Sequence, residues 1–515
     1  MAGTVPVARS LKDIYAEDDL SVQTTRWEKL LQQFKTNYGS SPDFVSRSPG
    51  RVNLIGEHVD YSLYSVLPMA ITADVLLAVR VIDDTAAPEG HYRIKVSNVQ
   101  STKFSSHEFD IPYDTVNIDA KVHEWTNYFK SGLRGAVEHL RQKNGEGYKP
   151  KSMEILMDGS VPAGGGLSSS AAFVSASALA VMFANGEKSV NKTALTELAI
   201  VSERAVGVNS GGMDQSASVF SVRGSALLVS FVPTLKARPV RFSKTEPEIS
   251  FVIAQSFVQS DKQVTGPVCY NLRVVECSLA AAYLHAVLNK TSKPLPVDSG
   301  PLGISLQGFQ STYFSNQKSS LSPEAQLTEL IALTQSTLTN EEGYTREEIA
   351  STLSCSVSQL NDRFTSTFPI RAERFALRQR ALHVFTEALR VLQFLYILED
   401  PSQDPSSRAQ SLGDLMNATQ ASCKDLYECS CPEIDDICSI ARRAGSTGSR
   451  LTGAGWGGCS VHLVPVDRVD AVKAAWEKEY YSKRDLSKEQ RESAVVVSKP
   501  GGGSAVLVLG EGGVL

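Results

Sequence analysis

The sequence has no apolar run of membrane length. The longest, 171–184, is interrupted by Ser175 and Ser177 and falls short of a bilayer span, so it reads as a buried helix. The opening MAGTVPVARSLKDIYAEDDL lacks an apolar core of secretory type and soon turns acidic. Cysteine is sparse, eight in 515 residues. The tightest group (Cys423, Cys429, Cys431 and Cys438) has neither the paired spacing of a zinc site nor a histidine among its members. These read as free packing thiols, and a reducing, cytoplasmic location is expected. Strong charge is absent too. A net −5 at pH 7 gives neither nucleic acid nor an anionic membrane a reason to bind, so an anionic ligand must be held by local features.

What is present is the composition of an ordinary globular protein, 42% apolar and 21% charged. The length exceeds what one core serves well, and two large domains are expected. The pattern divides the chain into a lead with an amphipathic helix (1–40), an α+β domain (41–240) and a second domain (241–515). A Ser/Pro/Gly-rich stretch at 291–321 reads as a loop or insertion, and 371–399 as one long helix. The chain end reads strand, helix, strand, strand.

Chemistry concentrates in three places. In Val161-Pro-Ala-Gly-Gly-Gly-Leu-Ser-Ser-Ser-Ala-Ala172, Gly164, Gly165 and Gly166 let backbone approach a ligand, and Leu167, Ser168, Ser169 and Ser170 lead into a helix. A helix start offers unpaired N–H groups and the positive end of the dipole, a seat for nucleotide phosphates. A serine hydroxyl there can also reach a Mg²⁺ ion. A Walker lysine is missing, so neutralisation must come from the dipole, a metal and residues elsewhere. In Pro49-Gly-Arg-Val-Asn-Leu-Ile-Gly-Glu-His-Val-Asp-Tyr61, the charged groups Arg51, Glu57, His58 and Asp60 crowd one turn, and acidic acceptors of this kind hold sugar hydroxyls. In Leu451-Thr-Gly-Ala-Gly-Trp-Gly-Gly-Cys459, a bare GxGxxG pattern has a helix-like run before it and a strand after it. That is the wrong order for a dinucleotide fold. It reads instead as a turn packing closely near the nucleotide. Glu203 and Asp214 form a carboxylate pair across VGVNSGGM, suited to metal ligation or proton acceptance, or to a structural salt bridge.

Together these segments resemble the galactokinase branch of the GHMP kinases (galactokinase, homoserine, mevalonate and phosphomevalonate kinases). GRVNLIGEHVDY is similar to the sugar signature, VPAGGGLSSSAA to the shared phosphate motif and LTGAGWGGC to the third motif. The similarity runs from about Arg47 to KPGGG near the C-terminus. The resemblance implies an α+β, two-domain GHMP kinase fold with its active site in the interdomain cleft. It implies ATP-dependent phosphorylation of galactose at the anomeric hydroxyl, with Mg²⁺. Asp214 would sit beside the attacking hydroxyl, and Arg51 would pair with it and stabilise the transferring phosphoryl group. Glu57, His58, Asp60, Gly212 and Tyr270 would line the sugar. Ser169 and Glu203 would hold the metal, and Trp125 would lie near the adenine.

Val59, Ser62 and Trp456 depart from the commoner galactokinase residues, toward a sub-branch that includes N-acetylgalactosamine kinases. Tyr270 favours galactose, because the acetamido-sugar kinases carry Phe there. A third reading is a sugar- and ATP-binding transcriptional inducer without catalysis, and a kinase that also binds a regulatory protein partner stays open beside it. The intact GLSSSAA and Asp214 argue for turnover.

Overall fold

The computed structural model describes residues 3–83, 87–119, 122, 124–162, 164–204, 211–259, 266–289, 294–317, 319–367 and 370–510. Its larger sheet has seven strands in the order Val7–Ala8, Ala505–Val508, Phe44–Ile55, Leu67–Ile82, Ser152–Gly159, His91–Asn98 and His107–Pro112. Two neighbouring pairs are parallel, Val7–Ala8 with Ala505–Val508 and His91–Asn98 with Ser152–Gly159, and the rest are antiparallel. The period-2 alternation of Leu67–Ile82 sorts its side chains between two cores. Val75, Leu77 and Val79 join the main core with helix Ser169–Ala184, whereas Leu76 and Ala78 face Trp27, Leu30 and Phe34 of helix Leu20–Tyr38. Both faces of the sheet are therefore helix-covered. Helix Ser169–Ala184 is buried all round from Ala171 onward, as its uniformly apolar sequence requires. Gly132 on helix Thr126–Asn144 lets that helix press against it, since a Cβ there would lie 2.6 Å from the Val174 carbonyl oxygen.

A second, four-stranded antiparallel sheet runs Gly448–Thr452, Cys459–Pro465, Ile249–Gln255 and Val495–Ser498. It meets the first through polar contacts. Thr452 Oγ1 accepts the Asn53 N–H (2.9 Å), and Arg450 Nη1 donates to the Asn53 carbonyl (3.2 Å).

Two expectations change, and the chain end, with its expected strand, helix, strand, strand order, adds a crossing that the sequence did not announce. The last two strands belong to different sheets, because Ala505–Val508 crosses back to pair with Phe44–Ile55 in the first half. The crossing is held by Arg47, whose Nη1 donates to the carbonyls of Gly502 (2.6 Å) and Gly503 (2.9 Å). The stretch 291–321 is not simply a loop. It contains helix Leu306–Gln317, with Leu306, Phe309, Tyr313 and Phe314 buried, an i, i+3, i+7, i+8 stripe masked by the Ser/Pro/Gly density before it. The long helix begins at Leu377 rather than 371, because Arg374–Phe375 pairs with Tyr344–Thr345. That helix, Leu377–Glu399, is long and apolar enough to cross a bilayer, but it lies in the fold's main core and buries Arg380, His383 and Glu387 among protein partners.

Candidate active site

Strand Phe44–Ile55 shifts register between Pro49 and Arg51, and this irregularity sits where the chain passes the phosphate motif. Gly50 makes the pass possible, since a Cβ there would lie 2.8 Å from the Leu167 carbonyl oxygen, and the Arg51 N–H donates to that oxygen at 3.1 Å. The Arg51 side chain then binds two ways. Nε and Nη2 contact Asp214 Oδ1 at 2.8 and 2.7 Å, and Nη1 donates to the Gly166 carbonyl at 2.8 Å. One buried guanidinium thus ties the expected base to the expected phosphate turn. Charge-assisted contacts of this kind contribute about 1.5–3 kcal/mol each.

The phosphate motif leaves strand Ser152–Gly159 and enters helix Ser169–Ala184 at Ser169. Gly164 and Gly166 take left-handed φ of 71° and 72°. Gly165 lies buried between them, with Pro162 and Cys459 close to where a Cβ would stand. Leu167 is buried. Ser168, the N-cap, is also left-handed (φ 59°), and its hydroxyl neither caps the helix nor finds any partner among the described residues. Ser169 and Ser170 follow, half-buried, in the first turn. Such a start points its unpaired amides outward. The third motif packs beneath it: Gly453 lies so close that a Cβ would stand 2.2 Å from the Gly166 carbonyl oxygen, and one on Gly458 would stand 3.0 Å from that of Gly165. Trp125 stacks on Phe173, one turn into the same helix (6.0 Å, 11°), beside Phe104 and His107.

Asp214 lies in the first turn of helix Met213–Phe220, whose N-cap Gly212 has φ 107°; a Cβ there would strike Ile200 at 2.5 Å. Asp60 accepts the backbone N–H groups of Tyr61 and Met213. Gly211 passes against it, with no room for a side chain. Tyr270 closes the group, its ring 5.7 Å from His58 and 5.6 Å from Tyr61. Burial, then Asp60 and Asp214, push its hydroxyl pKa up. His58, itself left-handed (φ 61°), sets Nε2 3.0 Å from the Ala454 carbonyl and Nδ1 3.1 Å from the Tyr61 hydroxyl. Glu57 is less open than the sequence suggests, because its Oε2 takes a hydrogen bond from buried Arg450 and the Gly453 N–H (3.3 Å). Glu203 is buried and accepts from Gln215, the neighbour of Asp214. Residues 205–210 lie outside the described residues, as does Ala163.

Burial and, second, the nearby Asp214 raise the Asp60 carboxyl above the usual carboxylate range. A raised folded-state pKa contributes stability below the unfolded value, and that stability is lost as pH rises through the folded one. At neutral pH the Asp60 carboxyl therefore costs stability. Asp60→Asn is expected to raise Tm by about 1–2 °C at pH 7.5, with the gain shrinking toward pH 4. If Asp60 lines the sugar as the resemblance implies, the same change should lower kcat/KM by about 10–100-fold. Calorimetry and steady-state kinetics on one preparation check both.

Known proteins resemble this chain over most of its length. Residues 32–81 match the galactose-binding signature of galactokinases, 127–222 the GHMP kinase N-terminal domain and 403–483 the GHMP kinase C-terminal domain. The galactokinase of Saccharomyces cerevisiae is 41% identical over 503 residues, covering 93% of this chain and 94% of that protein. The chain belongs to the galactokinase family. The Dictyostelium discoideum galactokinase is 40% identical, with 93% and 92% covered. In fold the chain resembles the crystal structure of Lactococcus lactis galactokinase complexed with galactose (TM-score 0.60, 24% identity, 93% and 99% covered). The architecture is the α+β fold of the GHMP kinases, and the chain is a sugar kinase.

For a galactokinase-family chain, sequence reasoning missed several residues at this site. Arg450, the partner of Glu57, stands one residue before the third motif, and its charge beside a glycine-rich turn is the signal that could have found it. Tyr427, hydrogen-bonded to Tyr61 and 5.0 Å from the His58 ring, has no such local signal. Neither do His383 and Glu387, which look like ordinary polar positions of a long helix.

Proposed function

We propose that this chain transfers the γ-phosphoryl group of ATP to the anomeric hydroxyl of galactose, giving galactose 1-phosphate and opening galactose catabolism. The observation that carries this is the Arg51 guanidinium, bound at once to Asp214 Oδ1 and to the Gly166 carbonyl of the phosphate turn. Phosphoryl transfer needs positioning and charge stabilisation more than covalent help. The helix start at Ser169 receives the triphosphate. Asp60, His58, Gly212 and Tyr270 hold the sugar so that its hydroxyl faces Asp214. Asp214 orients that hydroxyl and accepts its proton. A sugar hydroxyl is a very weak acid, so the proton moves late, as the bond to phosphorus forms. Arg51 also faces the charge that builds on the transferring group.

The orphaned hydroxyl of Ser168 and the buried carboxylate of Glu203 fit a site that also takes a divalent cation. Mg²⁺ needs only one or two protein oxygens beside phosphate and water. Ser169 and Glu203 would hold it, and when bound it neutralises charge on the β- and γ-phosphates. Ser169→Ala is expected to raise the Mg²⁺ concentration for half-maximal rate by about three- to tenfold, with little loss at saturation. An unchanged Mg²⁺ dependence removes Ser169 from the metal site. The free cysteines suit a reducing, cytoplasmic setting.

The test is a coupled ADP-release assay across a panel of hexoses, with kcat/KM for galactose set against N-acetylgalactosamine. Galactose is expected to be preferred. A clear preference for the acetamido sugar overturns galactose as substrate, and no turnover on any hexose overturns the kinase reading.

A further inference from the structure

The turn that carries Glu57 is left-handed on both sides: Gly56 has φ 99° and His58, a residue with a Cβ, has φ 61°. A turn of that kind persists only where its surroundings over-determine it. Its support comes from the second half of the chain, from one stripe of helix Leu377–Glu399. Glu387 Oε1 accepts the Gly56 N–H at 2.7 Å and the Glu57 N–H at 3.2 Å. His383, four residues earlier, sets Nε2 3.0 Å from the Glu57 carbonyl oxygen. Val391, four residues later, would lie 3.1 Å from a Cβ on Gly56. Both peptide groups of Glu57 are thus held by side chains of a single helix.

The two holding groups are themselves fixed. Glu387 Oε2 accepts from Thr419 Oγ1 (2.7 Å) and Arg390 Nε (2.8 Å), which leaves Oε1 aimed at the turn. Both carboxylate oxygens are satisfied in a fully buried site, and Arg390 helps hold the acid ionised against burial, with a pKa lowered to about 2. A carbonyl can only accept, so His383 carries its hydrogen on Nε2, and Nδ1 then accepts from Ser422 Oγ at 2.8 Å. Burial keeps that imidazole neutral, with a pKa of about 3.

We propose that Glu387 and His383 are positioning residues for the hexose: from one helix face they fix the peptides on either side of Glu57, and so set the geometry in which His58 and Asp60, the next residues of that turn, meet the sugar. Neither touches the phosphate turn, so their effect falls on sugar rather than on ATP. The inference rests on the sugar-wall reading above.

The test compares Glu387→Met, which keeps length and loses the acceptor, with Glu387→Gln, which keeps an acceptor oxygen. KM for galactose, KM for ATP, kcat and thermal unfolding are measured on the full chain. Glu387→Met is expected to raise the galactose KM about tenfold or more while kcat and the ATP KM stay within about threefold, and Glu387→Gln is expected to recover most of the loss. If both variants lose stability and active fraction alike, with neither KM moved, the residue is scaffold only and the proposal is overturned. Should Glu387→Met fail to fold, His383→Gln, which retains a donor, is set against His383→Leu. A higher galactose KM in the leucine variant alone supports the proposal, and equal values overturn it. Asp60→Asn separates the two levels. If it too leaves the galactose KM unmoved, the sugar wall itself is misassigned. If it raises that KM while Glu387→Met does not, only the positioning role falls.

Discussion

Asp214→Ala is expected to leave a folded protein that binds ATP normally and whose kcat has fallen by about 10²–10⁴-fold. The size follows from what the side chain does. Its Oδ1 takes both Nε and Nη2 of Arg51 and stands near Asp60 and Tyr270. Removing it takes away the proposed proton acceptor and leaves a buried guanidinium whose remaining partner among the described residues is the Gly166 carbonyl. Arg51 then loses its aim as well as its partner, so the loss exceeds that of a single hydrogen bond. Nucleotide affinity, measured by calorimetric titration, should hold because the phosphate turn keeps its glycines and helix start. Asp214→Asn refines the result. If orientation alone mattered, the amide would preserve much of the rate, whereas a role in accepting the proton predicts a deficit close to that of alanine. Near-wild-type turnover in Asp214→Ala would remove this carboxylate from the mechanism.

The second large effect is expected at a position with no reactive atom. Gly453→Ala should lower kcat/KM by about 100-fold or more and lower Tm. Overpacking costs about 1–3 kcal/mol, and a side chain in left-handed backbone adds about 1–2 kcal/mol. Gly453 has φ 88°, and a Cβ would lie 2.2 Å from the Gly166 carbonyl oxygen and 2.9 Å from its carbon. That same oxygen accepts Arg51 Nη1, and the Gly453 N–H donates to Glu57 Oε2. One methyl group therefore displaces the phosphate turn, the arginine and the sugar-signature glutamate together. Gly502→Ala is the control. Its nearest neighbour would be the Ile14 carbonyl oxygen at 3.7 Å and its φ is not left-handed, so turnover should be unchanged. Equal behaviour of the two variants would mean that the third motif's glycines do not govern the site.

The legible part of this site was the part written in short local segments. Gly164–Gly166 before three serines and a uniformly small, apolar helix can form one local arrangement, and the helix start is there. Arg51 and Asp214 were named from motif resemblance, 163 residues apart, and the structure brings them to 2.7 Å. The third motif was expected to pack closely near the nucleotide, and Gly453 and Gly458 press on Gly166 and Gly165. Less legible was whatever depends on a partner far along the chain. Glu57 looked free for sugar because nothing near it in sequence announces Arg450. Helix Leu306–Gln317 was hidden because turn-forming residues before it outweighed its spaced apolar positions.

By itself the amino-acid sequence determined the local geometry: which segments coil, which turns need glycine, where a helix end lies open to an anion. Those follow from backbone sterics and side-chain periodicity over a few residues. Tertiary structure alone decided that Ala505–Val508 crosses to the first sheet, that Arg450 occupies Glu57, and that Glu387 and His383 hold the turn beside His58. Each of these joins groups hundreds of residues apart. A buried charge or peptide group must find a partner, and which partner it finds is settled only when distant elements pack into contact.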